Sequence, residues 1–171
     1  DTVVLLGRTL SKVQAVADEV GGTAIECDVA NPDSVRAAFA QIAAQHPKID
    51  VLINNAAIYE PFTLAEVNDA QIQSSININI AGPIYCSREA LPLLRGGGRI
   101  LNVTSESVET KMPMLWLYAG GKAGVELMSD MWDRELSPEG VRVTIVQCGQ
   151  MFDETKTAPG WPMDVAVRFA R

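Results

Sequence analysis

The sequence is poor in the residues that build metal centres and disulfide frameworks. It holds a single histidine, His46, and three cysteines, Cys27, Cys86 and Cys148, which stand far apart without a Cys-x-x-Cys pair. A zinc site or a histidine-based catalytic triad is therefore not expected. The cysteines predict buried thiols in a reducing compartment rather than disulfides. His46 precedes a proline at the end of a predicted helix, which indicates a surface or capping residue.

Basic charge and long apolar runs are also scarce. Lys and Arg number 14 against 21 Asp and Glu, which gives a net charge of −7 and a pI near 4.7. This balance disfavours nucleic acid and anionic membrane surfaces as partners. No uncharged apolar stretch is long enough to span a bilayer, and nothing at the start resembles a signal peptide. We therefore expect a cytoplasmic protein.

What the chain does contain is a regular alternation of strand-like and helix-like segments. The 171 residues fit one domain, predicted over residues 1–171. Continuous apolar runs predict strands at residues 3–6, 23–27, 50–53, 99–104 and 141–146. Helical periodicity predicts helices near residues 10–20, 35–43, 64–94 (irregular around 81–83) and 117–136, with a last one from residue 163. This order predicts a parallel sheet covered by helices on both faces.

Residues 105–122 hold a hydroxyl, a phenol and an ammonium in fixed order. Tyr118 and Lys122 lie four residues apart on a predicted helix, which places them one turn apart on one face. A nearby ammonium lowers the pKa of a phenol, and such a phenol can exchange a proton with a substrate oxygen. Ser105 ends a predicted strand, at the sheet edge where ligands collect in open α/β folds. An isolated pair of this kind is weak evidence, so its weight depends on its surroundings.

Further landmarks surround this pair in a fixed order. They are Asp28 and Val29 after the second strand, Asn54, Ala56 and Ala57 after the third, Asn79 in the long helix, and Cys148 and Gly149 after the fifth. Together with Ser105, which stands thirteen residues before Tyr118, they give the chain its likeness to a known family. Nearly all of the chain resembles a short-chain dehydrogenase/reductase. That resemblance implies a doubly wound, Rossmann-type sheet in three α/β/α layers and a nicotinamide cofactor.

The resemblance also implies roles for four catalytic residues. Tyr118 would act as general acid in reduction and as general base in oxidation. Lys122 would lower the pKa of that phenol and hydrogen-bond the nicotinamide ribose. Ser105 would bind the substrate oxygen, and Asn79 would hold a water that connects Lys122 to solvent. Taken singly, Ser105 could be a turn residue and Asn79 the cap of a helix break.

Cofactor contacts follow from the same resemblance. Asp28 and Val29 would meet the adenine ring, although Asp28 could equally be a turn former. The three residues Asn54, Ala56 and Ala57 would line the cofactor cleft, and Gly149 would lie beside the nicotinamide. The position that is acidic in NAD-specific Rossmann proteins is occupied by Gly7, followed by Arg8. Because arginine binds a 2′-phosphate, we predict NADP(H) over NAD(H).

The chain departs from the family pattern in several places. It lacks the opening strand and the glycine-rich turn that holds the pyrophosphate, so we expect a gap in the centre of the sheet and a natural protein longer at both ends. Ala57 replaces a glycine, and Cys148 replaces a proline. Asp153 occupies the position of a frequent threonine, and Thr155 lies two residues on.

The sequence thus predicts an oxidoreductase that transfers a hydride between NADP(H) and a carbonyl or secondary alcohol. Alternatives are an isomerase, epimerase or dehydratase on the same fold, or a catalytically silent nucleotide-sensing protein. Two stretches lie where the family lines its substrate pocket: Met112, Met114, Leu115 and Trp116, and residues 149–163. Both are rich in methionine and aromatic residues, which suits an apolar pocket. Packing is an equal alternative for them. The resemblance further implies a homodimer or homotetramer formed through the two long helices.

Overall fold

The computed structural model of the chain describes residues 1–149. The described part contains five strands: β1 (Val4–Gly7), β2 (Thr23–Glu26), β3 (Val51–Asn54), β4 (Arg99–Ser105) and β5 (Arg142–Cys148). Its α-helices are α1 (Leu10–Val20), α2 (Pro32–Gln45), α3 (Asp69–Ile76), α4 (Gly82–Leu94), α5 (Ser107–Thr110) and α6 (Trp116–Leu136). A π-helix, Asn77–Ala81, joins α3 to α4. The helix predicted from residue 163 lies outside the described residues.

All strand pairs are parallel, and they form two sheets. One sheet consists of β1 and β2, and the other has the order β3, β4, β5. The register places Asn54 opposite Asn102 and Ser105 opposite Cys148. Parallel pairing confirms the predicted architecture, and the division into two sheets agrees with the expected central gap. Parallel pairing also brings the carboxyl ends of paired strands to a common edge, where ligands bind in such folds.

A shared apolar core joins the two sheets through the helices between them. Helix α2 packs against α4, and α4 and α6 cover the second sheet. Fully buried members of this core include Val35, Leu94, Ile100 and Val141. Burial of each large aliphatic side chain stabilises the fold by about 1.5–3 kcal/mol. The core also holds Cys86, where burial raises the pKa of the thiol to about 12, as expected for an unreactive cysteine.

Local signals in the sequence set the boundaries of the first two helices. Helix α1 ends at Gly21, whose φ of 67° lies in the left-handed region that favours glycine. Helix α2 begins after Asn31, whose side chain accepts hydrogen bonds from the N–H groups of Asp33 and Ser34. Its C-terminal cap is His46, in agreement with the capping role predicted for that residue.

The predicted helix over residues 64–94 is wrong in its first part. Helix α3 begins only at Asp69, because Asn68 forms a capping box with Gln71, in which each side chain bonds the other's backbone N–H. The irregularity expected around residues 81–83 falls at the π-helix. Pro83 contributes to it, since proline has no N–H to donate to the carbonyl four residues earlier. Among residues 1–149, no helix combines the length and apolar composition needed to cross a bilayer.

Candidate active site

The site residues predicted from the sequence gather at the carboxyl ends of the strands. They follow β1 (Arg8), β2 (Asp28, Val29), β3 (Ala56, Ala57) and β5 (Gly149), or form the last residue of β3 (Asn54) and β4 (Ser105). Because the strands of each sheet are parallel, residues from five separate segments lie at the carboxyl edges of the two sheets, where ligands bind in such folds. The order of strands and helices in the sequence is enough to predict that these residues lie at the carboxyl ends of the strands.

Helix α6 brings Tyr118 and Lys122 to the end of β4. Lys122 is 3% exposed, and its Nζ donates a hydrogen bond of 2.7 Å to the carbonyl of Val103. The same Nζ lies 5.7 Å from the ring centroid of Tyr118, within the range of a cation–π contact. The phenol is hydrogen-bonded with the side chain of Ser105, which also accepts the N–H of Ser107 at 3.2 Å. Hydroxyl, phenol and ammonium therefore form one contiguous group.

The electrostatics of this group differ from the expectation. Burial raises the pKa of Tyr118; the hydrogen bond with Ser105 opposes this rise, and the nearby Cys148 adds to it. Burial also lowers the pKa of Lys122. We expected the ammonium to lower the pKa of the phenol, and the structure gives the opposite direction. The reason is that loss of hydration disfavours the phenolate more than its hydrogen bond favours it.

Asn79 is fully buried in the π-helix, and its side chain is fully engaged. Its Oδ1 accepts the N–H of Ile58 at 2.9 Å, and its Nδ2 donates to the carbonyl of Ile58 at 3.0 Å and to Ser75 Oγ at 3.1 Å. A water relay through Asn79 would therefore use its main-chain carbonyl rather than its amide. That carbonyl has no α-helical donor, because the residue four positions on is Pro83.

Among the predicted cofactor contacts, Asn54 has the most extensive hydrogen bonds. Its Nδ2 donates to Ser87 Oγ at 3.0 Å and to Asn102 Oδ1 at 2.8 Å. Asn102 in turn donates to Ser129 Oγ at 2.8 Å, which links β3 and β4 to α4 and α6. Asn54 thus steadies the sheet, while its neighbours Ala56 and Ala57 are exposed at the edge.

The other cofactor residues differ in their contacts. Asp28 Oδ1 accepts the N–H of Ala30 at 3.0 Å, which matches its alternative reading as a turn former. Val29 packs on Gly82 at the start of α4. Arg8 is exposed, and no ion pair engages it within residues 1–149. Gly149 lies close to the carboxylate of Glu106: a Cβ added at Gly149 would be only 3.2 Å from Glu106 Oε2.

The predicted substrate-pocket residues do not surround Tyr118 in the described part of the chain. Met112 and Trp116 line a groove of about 330 Å³ between α5 and α6, which Tyr118 does not line. Leu115 is buried in the protein. Tyr118 instead faces a small cleft whose lining includes Ile58, Glu60, Phe62 and Ser75. Trp116 nevertheless packs edge to face on Phe62, with ring centroids 5.8 Å apart, and so contacts the lining of that cleft. The other part of the predicted pocket, residues 150–163, lies outside the described residues, so the pocket stays a prediction.

Sequence reasoning missed three residues that touch the site or support it. Tyr59 packs its ring against Tyr118, with centroids 5.1 Å apart and planes at 80°. Asn102 and Ser129 form the buried network behind β4. Tyr59 could have been found from the sequence because it lies five residues after Asn54, the last residue of β3, and so close to the edge of the sheet where the site forms. Within residues 1–149, no group of His, Cys, Asp or Glu side chains is placed to hold a metal ion.

Comparison with known proteins identifies the family. The family model described as short chain dehydrogenase matches residues 1–161. The chain belongs to this family. A D-xylose 1-dehydrogenase of Caulobacter vibrioides is 34% identical over 166 residues, which cover 93% of this chain and 64% of the relative. A ketoacyl reductase, HetN, of a Nostoc species is 33% identical, covering 92% of this chain and 60% of that protein.

The fold agrees with this membership. The crystal structure of a short-chain dehydrogenase from Streptomyces avermitilis superposes with a TM-score of 0.84 at 25% identity, over 90% of this chain and 59% of that one. The predicted Rossmann-type α/β fold is therefore confirmed. The chain spans about three fifths of the length of the curated relatives it matches.

Proposed function

We propose that the protein is an NADP(H)-dependent oxidoreductase that interconverts a carbonyl group and a secondary alcohol. The observation that carries this proposal is the contiguous group of Ser105, Tyr118 and Lys122 at the carboxyl edge of the sheet. A phenol, a neutral hydroxyl and a buried ammonium can polarise a substrate oxygen and exchange a proton with it. The names of the relatives, dehydrogenases and reductases, support the same chemistry.

Each member of the group has a distinct part in the proton transfer. Tyr118 carries its proton at neutral pH and donates it to the substrate oxygen in reduction, although burial raises the pKa of the phenol and makes it a weaker acid before the substrate binds. Ser105 hydrogen-bonds the same oxygen and stabilises the charge that develops there. Lys122, held by Val103, returns a proton to Tyr118 and is itself reprotonated from solvent through a water that the Asn79 carbonyl would hold. The nicotinamide cofactor supplies the hydride when bound.

The carboxyl edge suits a dinucleotide with a 2′-phosphate. The guanidinium of Arg8 is exposed at the end of β1, with no ion pair to compete within the described residues. Arginine binds phosphate with two parallel hydrogen bonds. Ala56 and Ala57 expose only small side chains at the end of β3, which leaves room for a ligand to approach. These features support NADP(H) rather than NAD(H).

The proposal is tested by following NADPH oxidation with a panel of ketones and aldehydes that includes aldoses and apolar ketones. Because general acid catalysis contributes about 10²–10⁴-fold, Tyr118→Phe is expected to lower kcat by at least about a hundredfold. Tyr85→Phe is the matched control, since Tyr85 is half-buried in α4, where its ring packs against the core and beside Arg88. Activity of Tyr118→Phe equal to that of the parent protein would refute the mechanism.

We also propose that two or four copies associate through α4 and α6. On α6, Leu127 and Met131 are 64% and 61% exposed and lie one turn apart, so the helix presents an apolar stripe. Light scattering on Leu127→Glu tests this proposal, with Val16→Glu on α1 as control. A lower mass for Leu127→Glu alone is expected, and a parent protein that is already monomeric would contradict it.

A further inference from the structure

The loop after β3 is fixed to the π-helix by a single side chain. The amide of Asn79 makes two hydrogen bonds to the backbone of Ile58, one to its N–H at 2.9 Å and one to its carbonyl at 3.0 Å. Asn79 is itself fully buried and braced by Ser75. A planar amide that bonds both polar groups of one residue fixes its position and orientation. Ile58 is therefore held in place although it lies in a connection without regular structure.

The residue after this clamp packs against the proposed general acid. The ring of Tyr59 meets that of Tyr118 edge to face, at 5.1 Å and 80°. Aromatic rings favour this arrangement because the positive edge of one faces the negative face of the other. On another side of Tyr118 stands the ammonium of Lys122, which is tied to Val103. The phenol ring is thus held from two directions.

The surroundings of Tyr118 show what Tyr59 adds. Strands β4 and β5 contribute Ser105 and the thiol of Cys148, and helix α6 contributes the ammonium of Lys122. The loop after β3 contributes the side chains of Tyr59 and Glu60. Within this set, Lys122 meets the ring of Tyr118 with its ammonium, whereas Tyr59 meets it with an uncharged ring. Burial raises the pKa of both phenols.

We propose that Tyr59 is a positioning residue for Tyr118, and that Asn79 acts on the phenol through Ile58 and Tyr59. Asn79 then has a second role, in addition to holding a water for proton transfer. Asn79 fixes the position of Tyr59, and the ring of Tyr59 keeps the Tyr118 ring turned toward Ser105 and shields it from water. The inference rests on the proposed function of Tyr118 as general acid. It identifies Tyr59 as a residue that controls both the orientation and the ionisation of the phenol.

A titration of the cofactor-free protein tests this inference without any assay of activity. The chain contains three tyrosines, so ¹³Cζ-tyrosine labelling gives three NMR signals, assignable with Tyr→Phe variants. Tyr59→Ala admits water to Tyr118, which stabilises the phenolate, so the pKa of Tyr118 should fall. Tyr59→Phe keeps the ring and should leave the pKa of Tyr118 unchanged. Circular dichroism over the same pH range verifies that each variant stays folded.

Kinetics supply the second readout. Tyr59→Ala should lower kcat by about two- to tenfold, the range expected for loss of one ring pair, with an unchanged KM for NADPH. In the oxidation direction, where the phenolate is the base, the alkaline rise of kcat should move to lower pH. Tyr59→Phe should keep both values. Asn79→Ala combined with Tyr59→Ala should lower kcat by less than the product of the single effects.

Two results would overturn the inference. One is a pKa of Tyr118 in Tyr59→Ala equal to that of the parent protein. The other is a Tyr59→Phe variant as impaired as Tyr59→Ala, which would assign the effect to the hydroxyl of Tyr59 instead of its ring. Failure of the proposed function would look different, since Tyr118→Phe would then retain activity while the NMR shift in Tyr59→Ala persisted.

Discussion

At the ends of β4 and β5 the polar side chains of the site are fixed by contacts between distant parts of the chain. At the ends of β1 and β2 they are exposed or bonded to near neighbours. Lys122 reaches Val103 across 19 positions, and Asn79 reaches Ile58 across 21. Asp28, by contrast, bonds Ala30 two positions away, and Arg8 has no ion pair within the described residues.

This difference has a functional meaning. Proton transfer requires groups held in place before the substrate arrives, because misplacement of a catalytic group is costly in rate. Contacts with a large, charged ligand can instead be completed when it binds, since exposed side chains adjust at small cost. The catalytic edge (Ser105, Tyr118, Lys122 and Asn79) should therefore be sensitive to internal substitutions. At the cofactor edge (Arg8, Asp28 and Val29), substitution of the exposed Arg8 should affect ligand binding without much effect on stability.

The largest effect is expected from Lys122→Met. This variant removes the ammonium from beside Tyr118 and its hydrogen bond to Val103, while roughly preserving side-chain volume. Carbonyl reduction should fall by about a hundredfold or more, because the phenol loses its source of protons. The measurement is kcat with NADPH and the best ketone. Lys12→Met, on the exposed face of α1, is the control, and equal activity of both variants would contradict the assignment.

The second prediction concerns the polar network behind the catalytic edge. Asn102→Ala removes the hydrogen bonds of Asn102 with Asn54 and with Ser129. Asn54 and Ser129 then each lack one hydrogen-bond partner. The free energy of unfolding should fall by about 2–3 kcal/mol, measured by urea denaturation. Asn77→Ala, which loses one exposed bond with Gln73, should cost less than about 1 kcal/mol. Similar losses for the two variants would show that the network does not brace the sheet.

At the cofactor edge, Arg8→Ala should change specificity rather than stability. We expect the Kd for NADP(H) to rise by about tenfold, the loss of one charge-assisted phosphate contact, with NAD(H) affinity and the unfolding midpoint unchanged. Fluorescence titration with both cofactors measures this. Arg36→Ala serves as control, because Arg36 is paired with Asp33 on the surface of α2. A preference for NAD(H) that Arg8→Ala leaves unaltered would refute the role of Arg8.

The same division governs what could be predicted from the sequence. Signals confined to a few neighbouring residues were reliable: the helical periodicity of residues 10–20, which form α1, and the four-residue spacing of Tyr118 and Lys122 on α6. Contacts that depend on the folded chain were missed. Nothing near Tyr59 in the sequence indicates that its ring meets Tyr118, which lies 59 positions later. The direction of the Tyr118 pKa was wrong because burial cannot be read from residue spacing.

The smallest effect separates two roles of one side chain. Asp28 Oδ1 accepts the N–H of Ala30, so Asp28→Ala should destabilise the fold by about 0.5–1.5 kcal/mol. Asp28→Asn keeps that acceptor and should preserve stability. It replaces the other carboxylate oxygen with a donor, however, so a contact with the amino group of adenine would be lost. We expect Asp28→Asn to weaken NADP(H) binding by about threefold with an unchanged unfolding midpoint, measured by calorimetry. If both variants bind the cofactor as the parent protein does, Asp28 only forms the turn, and the cofactor edge consists of Arg8 and Val29.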